Sequence, residues 1–339
     1  MKKLLLLFLA TINYFIISAQ TIKSIYEKQW HKIDSLIVEK DLPKSALEKV
    51  NTIYADAKNK KLDAEVIKAL LYKLSLEDKT EEQDVNREYK LLSGEISSTS
   101  NAVSKSILQS VLANALNNYY DQNFWKNNTR KETIAYKEAD IATWSNQQLL
   151  ATIDSLYETS LTASDLLRKT SLAIYNAIII KGNAIGTRPT LFDLLAHEAL
   201  DYYKTGLRYI TEPTYAFKLI NENCLAVADV FINYSFASKD TSSHLLKALQ
   251  LFQQIMLFHK NDNDPTAFID VNIERIEWVK NRTNFNKEDA LYKNALIDIT
   301  HHYTNANPQQ KPGIYWHNRK FQKHRLISLL RTQQKDMPM

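Results

Sequence analysis

Residues 26–58 read YEKQWHKIDSLIVEKDLPKSALEKVNTIYADAK, and this stretch decides the fold. Apolar side chains recur in it every three or four residues, which is the spacing of one face of an α-helix. Asp41-Leu42 interrupts the pattern, and Pro43 suits the first turn of a second helix because that position needs no backbone N–H donor. The stretch therefore predicts a helical hairpin. Its two apolar faces are Ile22, Ile25, Tyr26, Trp30, Ile33 and Ile37, and then Ala46, Leu47, Val50, Ile53, Tyr54 and Ala57.

The same spacing recurs along most of the chain, while strand-like alternation is nearly absent. Short helices that each have one apolar face can bury that face only by stacking on their neighbours. The sequence therefore predicts an all-α, irregular helical-hairpin solenoid. It is tetratricopeptide-like at Trp30, Ala46 and Tyr54 but has no strict 34-residue period. Later faces contain Leu62, Val66, Leu70 and Leu74; Val103, Ile107, Val111 and Ala115; Leu149 and Ile153; Leu191, Leu194 and Leu195; Leu249, Phe252 and Met256; Ile269, Ile273 and Ile276; and Leu291, Ala295 and Ile299.

Glycine, proline and β-branched residues indicate where these predicted helices begin and end. A fourth helix is predicted from about Glu81 to Leu92, ending before Gly94. The run 177–180, Ala-Ile-Ile-Ile, could form a strand, but a buried helix end fits the surrounding helices better. A loop then leads through Pro189 to a helix that Thr190 is expected to cap.

The N-terminus predicts a signal peptide. Two lysines precede an apolar run from Leu4 to Ile17, and Ala19 supplies the small residue that signal peptidase needs. Because this run is shorter than the roughly 20 residues that span a bilayer, we expect cleavage near Ala19 and export to the periplasm or cell envelope. No later segment is long and apolar enough to predict a transmembrane helix in the mature chain.

Composition and periodicity divide the chain into five predicted segments. A polar stretch interrupts the helical pattern in the middle of the chain, and the pattern is lost again near the C-terminus. The segments are a signal peptide (1–19), N-terminal helical hairpins (20–123), a polar linker loop (124–144), a second helical array (145–307) and a basic tail (308–339).

Positive charge is concentrated at the C-terminus. The chain carries a formal net charge of +5, but residues 308–339 hold seven Lys or Arg against one acid. The remainder of the chain is therefore mildly acidic. Nucleic-acid binding would need basic residues spread over a folded surface, so we expect a protein partner and no nucleic acid.

Cys224 is the only cysteine, which excludes an internal disulfide framework. It lies in the apolar stretch 224–227, Cys-Leu-Ala-Val, where a thiol is expected to be buried and unreactive.

Asp193, His197 and Asp201 are spaced four apart and share one helical face, with Glu198 next to the histidine. Such a set could form a weak metal or acid–base site. A zinc-protease helix would need a second histidine where Asp201 stands, so that motif is absent. The alternative, which we favour, is a histidine at the edge of a packed face that is bonded to a carboxylate one turn away.

The remaining polar clusters have structural interpretations. His301-His302 ends a predicted helix, where histidine complements the helix dipole. The eighteen tyrosines could line a ligand groove. Tyrosine on an amphipathic helix is, however, more often a core residue whose hydroxyl group reaches water. The chain has no P-loop, dinucleotide fingerprint or nucleophile elbow. We therefore predict no enzyme, no cofactor, and no catalytic, cofactor-binding or metal-binding residues.

Five strings resemble, in chain order, the N-terminal helical region of large bacterial alpha-2-macroglobulin-like proteins. They are 26–58, quoted above; IKALLYKLSL at 67–76; DIATW at 140–144; RPTLFDLLAHEALDYY at 188–203; and LFHKNDNDPTAFIDVNIERIEWV at 257–279.

The resemblance implies an exported protein in which helices precede a chain of β-sandwich domains. Members of the family trap proteases, often through a Cys-Gln thioester. This chain contains no β-sandwich sequence and Cys224 lies in no thioester motif, so covalent trapping is not carried over to any residue.

The basic tail also departs from that pattern. It follows a predicted helix from Leu291 to Tyr303 that should open another hairpin, and it loses the amphipathic period. One hypothesis is that the reading frame is lost near Pro308, which would make the chain a truncated family member. The alternative is a genuine short protein with a disordered basic end.

Overall fold

The computed structural model describes residues 25–80, 84–128, 140–180, 186–206, 213–283, 285–303 and 325–326. The predicted signal peptide, the middle of the polar loop and the basic tail apart from 325–326 lie outside these residues. The described residues form twelve α-helices and one ladder between two-residue strands, so the all-α, helical-hairpin fold class is confirmed.

The described residues group into two compact units. Unit 1 contains residues 25–80 and 171–178, and unit 2 contains residues 84–128, 140–170 and all described residues from 179 onward.

Unit 1 is built from three consecutive helices: α1 (Glu27–Val38), α2 (Pro43–Asn59) and α3 (Asp63–Thr80). Each packs against the next, and a 3-10 segment, Leu172–Ile178, packs against α3. Pro43 occupies the first turn of α2, as the sequence predicts. The hairpin prediction is therefore confirmed.

Trp30 is the centre of the unit 1 core. The residue is 3% exposed, and its ring lies 4.9 Å from the ring of Tyr72 and 4.3 Å from the ammonium group of Lys68. Its Nε1–H donates to a carboxylate oxygen of Glu65 at 2.8 Å. One side chain on α1 is thus held by three on α3. The fully buried Ile33, Ala46, Val50 and Ala57 belong to the same cluster.

One residue of the predicted α1 face is not buried. Ile25 is 62% exposed because the helix begins only at Glu27, so the helical register that would turn Ile25 inward does not extend to it. Ile22 lies outside the described residues.

Unit 2 contains the other nine described helices, with short 3-10 segments at Ile141–Thr143 and Glu222–Leu225. Helix α5 packs along α6, α8 packs against α10, and α10 packs against α11. The helices are α4 (Val85–Ser98), α5 (Ala102–Asn128), α6 (Asn146–Ser160), α7 (Ser164–Lys169), α8 (Leu191–Thr205), α9 (Ala228–Asn233), α10 (His244–His259), α11 (Thr266–Lys280) and α12 (Glu288–His302).

The predicted linker over 124–144 differs from the structure. Residues 124–128 complete α5, and residues 141–143 form a 3-10 turn before α6. Because α5 and α6 pack against each other within unit 2, the segment connects two neighbouring helices and does not divide two arrays.

Two further local predictions are wrong. Helix α4 continues through Gly94, since Leu92 and Glu95 bury their side chains and this packing outweighs the roughly 1 kcal/mol helix cost of a glycine. Ile179–Ile180 is a short strand, paired antiparallel with Arg325–Leu326, and not a helix end. In both cases tertiary partners decide the local conformation.

Among the residues that the structure describes, no helix combines the length and the apolar character needed to cross a membrane.

Trp30→Ala is expected to lower the free energy of unfolding by about 3–5 kcal/mol, because it removes a buried ring and leaves a cavity between α1 and α3. Urea unfolding followed by circular dichroism measures this change. Ile25→Ala is the matched control, and its expected effect is below about 0.5 kcal/mol since the side chain is already exposed. Equal losses in the two variants would contradict the described core.

Candidate functional site

Asp154 on α6 is the polar centre of unit 2. Its Oδ1 accepts hydrogen bonds from the hydroxyl of Tyr202 at 2.8 Å and from Nε2 of His244 at 2.9 Å. Its Oδ2 accepts from the ammonium group of Lys247 at 2.7 Å, which also pairs with Glu158 at 2.9 Å. A single carboxylate therefore ties α6 to both α8 and α10.

The charge on Asp154 is stabilised by these partners. Burial on its own raises the pKa of this carboxyl group, but hydrogen bonds and charge from His244 and Lys247 lower the pKa by more, so the net shift is downward. The pKa of Tyr202 shifts upward because burial and the neighbouring Asp154 both disfavour a phenolate. Tyr202 therefore remains a hydrogen-bond donor at neutral pH.

Aromatic rings pack around this carboxylate. Tyr157 and Tyr202 stack with ring centroids 4.9 Å apart, and the imidazole of His244 lies 4.7 Å from the ring of Tyr202. Tyr203 meets Tyr157 edge-on at 6.4 Å. The three tyrosines are buried and therefore belong to the core. Tyr157 and Tyr202 also line a cavity.

The cavity has a volume of about 190 Å³. One wall is aromatic and consists of Tyr120, Tyr157 and Tyr202, and polar side chains complete the lining. The polar members are Asn114 and Asn117 on α5, Asp121 on α5, Glu198 and Asp201 on α8, and His244 at the start of α10. Acceptor groups thus predominate over charged donors on its surface.

His244 lines this cavity and has one unengaged ring nitrogen. Its side chain is 2% exposed, and its Nε2 is engaged with Asp154. Among the described residues, Nδ1 has no hydrogen-bond partner. Nδ1 is thus left to engage a ligand, as an acceptor in the neutral ring or as a donor in the protonated ring.

Helix α8 presents two different polar faces. Glu198, Asp201, Tyr202 and Thr205 follow the spacing of one helical face, and all four line the cavity. Asp193, His197 and Lys204 lie on another face of the helix, whose side chains contact α10 and α11. Both faces are fixed by the N-terminus of α8, where Thr190 and Asp193 form a capping box, as expected for the Thr190 cap.

The structure separates the predicted trio Asp193, His197 and Asp201. Nδ1 of His197 contacts the main-chain oxygen of Asp193 at 2.8 Å, and not its carboxylate. The carboxylate of Asp193 accepts from Thr190 and from His259. Asp201 forms an ion pair with Lys204 at 2.6 Å and lines the cavity.

His259 is held between two carboxylates. Nε2 lies 2.7 Å from Oδ1 of Asp193, and Nδ1 lies 2.7 Å from Oδ2 of Asp262. Both ring nitrogens can donate only when the imidazole is protonated. Burial lowers the pKa of His259, but the hydrogen bonds and charges of the two carboxylates raise it by more, and the net shift is upward.

His197 instead meets two carboxylates from α11. One ligand atom each of His197, Asp270 and Glu274 lies within 4.8 Å of the others, which makes the set a candidate metal centre. The sequence carries a weak signal for it, since Asp270 and Glu274 are one helical turn apart. Nothing in the sequence indicated that α11 would lie against His197, so these two residues were missed.

Cys224 is buried, and burial raises the pKa of its thiol to about 12. Its main-chain oxygen accepts from the guanidinium of Arg275 at 2.7 Å, and Arg275 also lies 4.2 Å from the centre of the Phe231 ring. The prediction of a buried cysteine is confirmed.

The adjacent histidines His301 and His302 lie where the sequence places them. His301 and His302 occupy the last turn of α12, and Nδ1 of His302 contacts the main-chain oxygen of Asp298 at 2.9 Å. This contact engages a carbonyl group in the last turn, as a helix-ending histidine is expected to do.

Comparisons of this chain with protein-family models, with curated proteins and with solved structures give no match.

The His259 pair predicts a specific pH dependence. Because the pKa of His259 is raised in the folded protein, its contribution to stability is fully present below the unfolded value of about 6.5 and is lost as pH rises through the folded pKa. His259→Gln is expected to flatten the decline of the unfolding free energy above about pH 6.5, measured by urea titration at several pH values.

His31→Gln, at an exposed position of α1, is the matched control and should leave the pH profile unchanged. A His259→Gln profile identical in slope to that of the unmodified chain would refute the proposed charge on His259.

Proposed function

We propose that this chain is a non-catalytic helical module of an exported alpha-2-macroglobulin-like protein and that it acts through contacts with other proteins. Five resembling strings in chain order support the family assignment, and the signal-like N-terminus supports export to the periplasm or cell envelope. The observation that carries the binding role is the tyrosine-walled cavity of unit 2.

The size of this cavity favours a single side chain as its occupant. Pockets for cofactors and small-molecule ligands commonly measure about 300–1,000 Å³, and this one measures about 190 Å³. A side chain inserted from a partner protein would use such a space and would leave the rest of the contact to the surrounding helices.

The chemistry of the lining favours a basic side chain. Three acidic residues, Asp121, Glu198 and Asp201, line the cavity. Tyrosine faces attract cations through the ring quadrupole. A lysine or arginine in an extended segment of a partner would donate to the acceptors while its aliphatic stem packs against the rings.

A free-standing tetratricopeptide-like adaptor is the second candidate. The first hairpin favours it, because Trp30, Ala46 and Tyr54 occupy tetratricopeptide-like positions and two of them are buried in the unit 1 core. The two candidates differ in the genomic DNA downstream of the coding sequence. Coding sequence for β-sandwich domains there would support the inhibitor module, and its absence would support the adaptor.

Peptide binding tests the cavity directly. We expect the chain to bind a fluorescein-labelled peptide containing two arginines in a glycine–serine background, and to bind the same peptide with glutamines in their place much more weakly. Fluorescence anisotropy gives both affinities. The double variant Asp121→Asn/Glu198→Gln should weaken arginine-peptide binding by roughly tenfold, or about 1.4 kcal/mol, because two carboxylates are neutralised.

Glu48→Gln/Asp165→Asn is the control, since it removes the same net charge at exposed sites outside the cavity. An equal loss of affinity in both double variants would indicate nonspecific electrostatic attraction. Equal affinities for the arginine peptide and the glutamine peptide would contradict the proposal.

The same preparation tests the inhibitor assignment. The chain alone is expected to leave the hydrolysis of casein by trypsin unchanged, because the bait region and thioester of the family are absent from this sequence. Stoichiometric inhibition of trypsin would show that the chain carries an inhibitory activity of its own and would overturn its assignment as one module that inhibits nothing by itself.

A further inference from the structure

We propose that unit 2 contains a second ligand site, a cavity lined by residues of α6, α8 and α10, and that it binds an uncharged pyranose sugar. This second cavity has a volume of about 260 Å³. Pockets for drug-sized ligands commonly measure about 300–1,000 Å³, so the space suits a single sugar ring. The proposal does not rest on the first cavity, because the acidic residues Asp121, Glu198 and Asp201 line only that one.

Tyr203 on α8 gives the second cavity an unused hydrogen-bonding group. The residue lines the cavity and is 4% exposed, and its hydroxyl oxygen is buried without a hydrogen-bond partner among the described residues. A buried polar group without a partner costs free energy, which a bound ligand with a matching group would recover. Burial and the charges of Asp154 and Glu158 raise the pKa of Tyr203, so the hydroxyl keeps its proton and can both donate and accept.

Two side-chain amides on α10 line the same cavity. Gln250 and Gln254 are one helical turn apart, and both are exposed. A side-chain amide donates through its nitrogen and accepts through its oxygen, as the Tyr203 hydroxyl does through one atom. The hydroxyl groups of a sugar have the same double character. A carboxylate can only accept and an ammonium group can only donate, so either would match fewer of these groups.

The charges of the lining cancel. Lys247 and Glu158 are its two charged residues, and their side chains pair at 2.9 Å. The ammonium group of Lys247 also donates to Asp154 at 2.7 Å, which holds it in place. A charged ligand would leave one charge without a partner in a partly enclosed space, and this costs free energy. The second cavity therefore favours an uncharged ligand, unlike the acidic first cavity.

Apolar side chains complete the second cavity. Leu161, Leu251 and Tyr157 belong to its lining, and the last two are buried. A pyranose ring combines hydroxyl groups around its edge with C–H groups on its faces. The C–H groups gain from leaving water for an apolar wall, while the hydroxyl groups pair with the polar residues. Apolar walls with a few polar groups are typical of small-molecule sites.

The test is sugar binding by the full chain, detected by saturation-transfer NMR and quantified by isothermal titration calorimetry. The probes are D-glucose, D-galactose, D-mannose and maltotriose. We expect at least one of them to bind with a stoichiometry of one and a millimolar or lower Kd, since a ligand of this size makes few contacts. Tighter binding of maltotriose than of glucose would identify the end of a glycan as the ligand, and equal binding would identify the free sugar.

Two variants locate the site. Tyr203→Phe removes the unpartnered hydroxyl and breaks no hydrogen bond between described residues, so it should fold and bind the sugar roughly tenfold more weakly. Gln254→Met removes an exposed amide and carries the test if circular dichroism shows that Tyr203→Phe has lost helix. Tyr215→Phe, at a residue that is 58% exposed, and Gln122→Met, at an exposed position of α5, are the matched controls and should bind normally.

Charged sugars test the electrical neutrality of the site. D-glucuronate and D-glucosamine keep the pyranose ring but carry one negative and one positive charge, and each should bind more weakly than the best neutral sugar. Tighter binding of either would contradict an uncharged ligand. Failure of all four neutral sugars to bind, or unchanged affinity in both Tyr203→Phe and Gln254→Met, would overturn the proposal and leave water as the occupant of the second cavity.

Discussion

Helix α8 is buried on nearly every side, and this constraint governs unit 2. Eleven of its fifteen residues are buried, including Asp193, His197, Tyr202 and Tyr203. A buried polar group costs free energy unless it is hydrogen-bonded, and a buried charge costs much more unless it is paired. Asp193, Tyr202 and Lys204 of α8 each find a partner on a neighbouring helix, and these contacts tie α8 to the helices around it.

The partners divide by helical face. On one face Tyr202 donates a hydrogen bond to Asp154, which also accepts from His244 and Lys247. The cavity lies beside this group. On another face Asp193 binds His259. His197 and Tyr202 are five positions apart, which at about 100° per residue places them roughly 140° apart around the axis. One helix can for this reason border both a side-chain cavity and the cluster of His197, Asp270 and Glu274. The ammonium group of Lys204 links the two, because it pairs with both Asp201 and Glu274.

Unit 1 depends on a simpler rule. Its core is apolar, and polar groups enter only at the edge of large rings, as where Trp30 donates to Glu65 and Tyr72 donates to Asp34. Hydrogen bonds of this kind fix the orientation of aromatic residues between helices while the rings supply most of the buried area. The chemically versatile groups are therefore concentrated in unit 2, where polar side chains are buried in connected sets.

The sequence by itself determined the helices, the turn at Pro43, the Thr190 cap and the burial of Cys224. These features depend on neighbours within a turn or two of the chain, so periodicity and capping rules suffice to find them. Only the tertiary structure decided which residues meet. Asp154 with His244, Asp193 with His259, and His197 with Asp270 are each separated by dozens of residues, and helix packing brings them together. Similarly, Gly94 stays helical and Ile179–Ile180 becomes a strand because distant packing outweighs local preference.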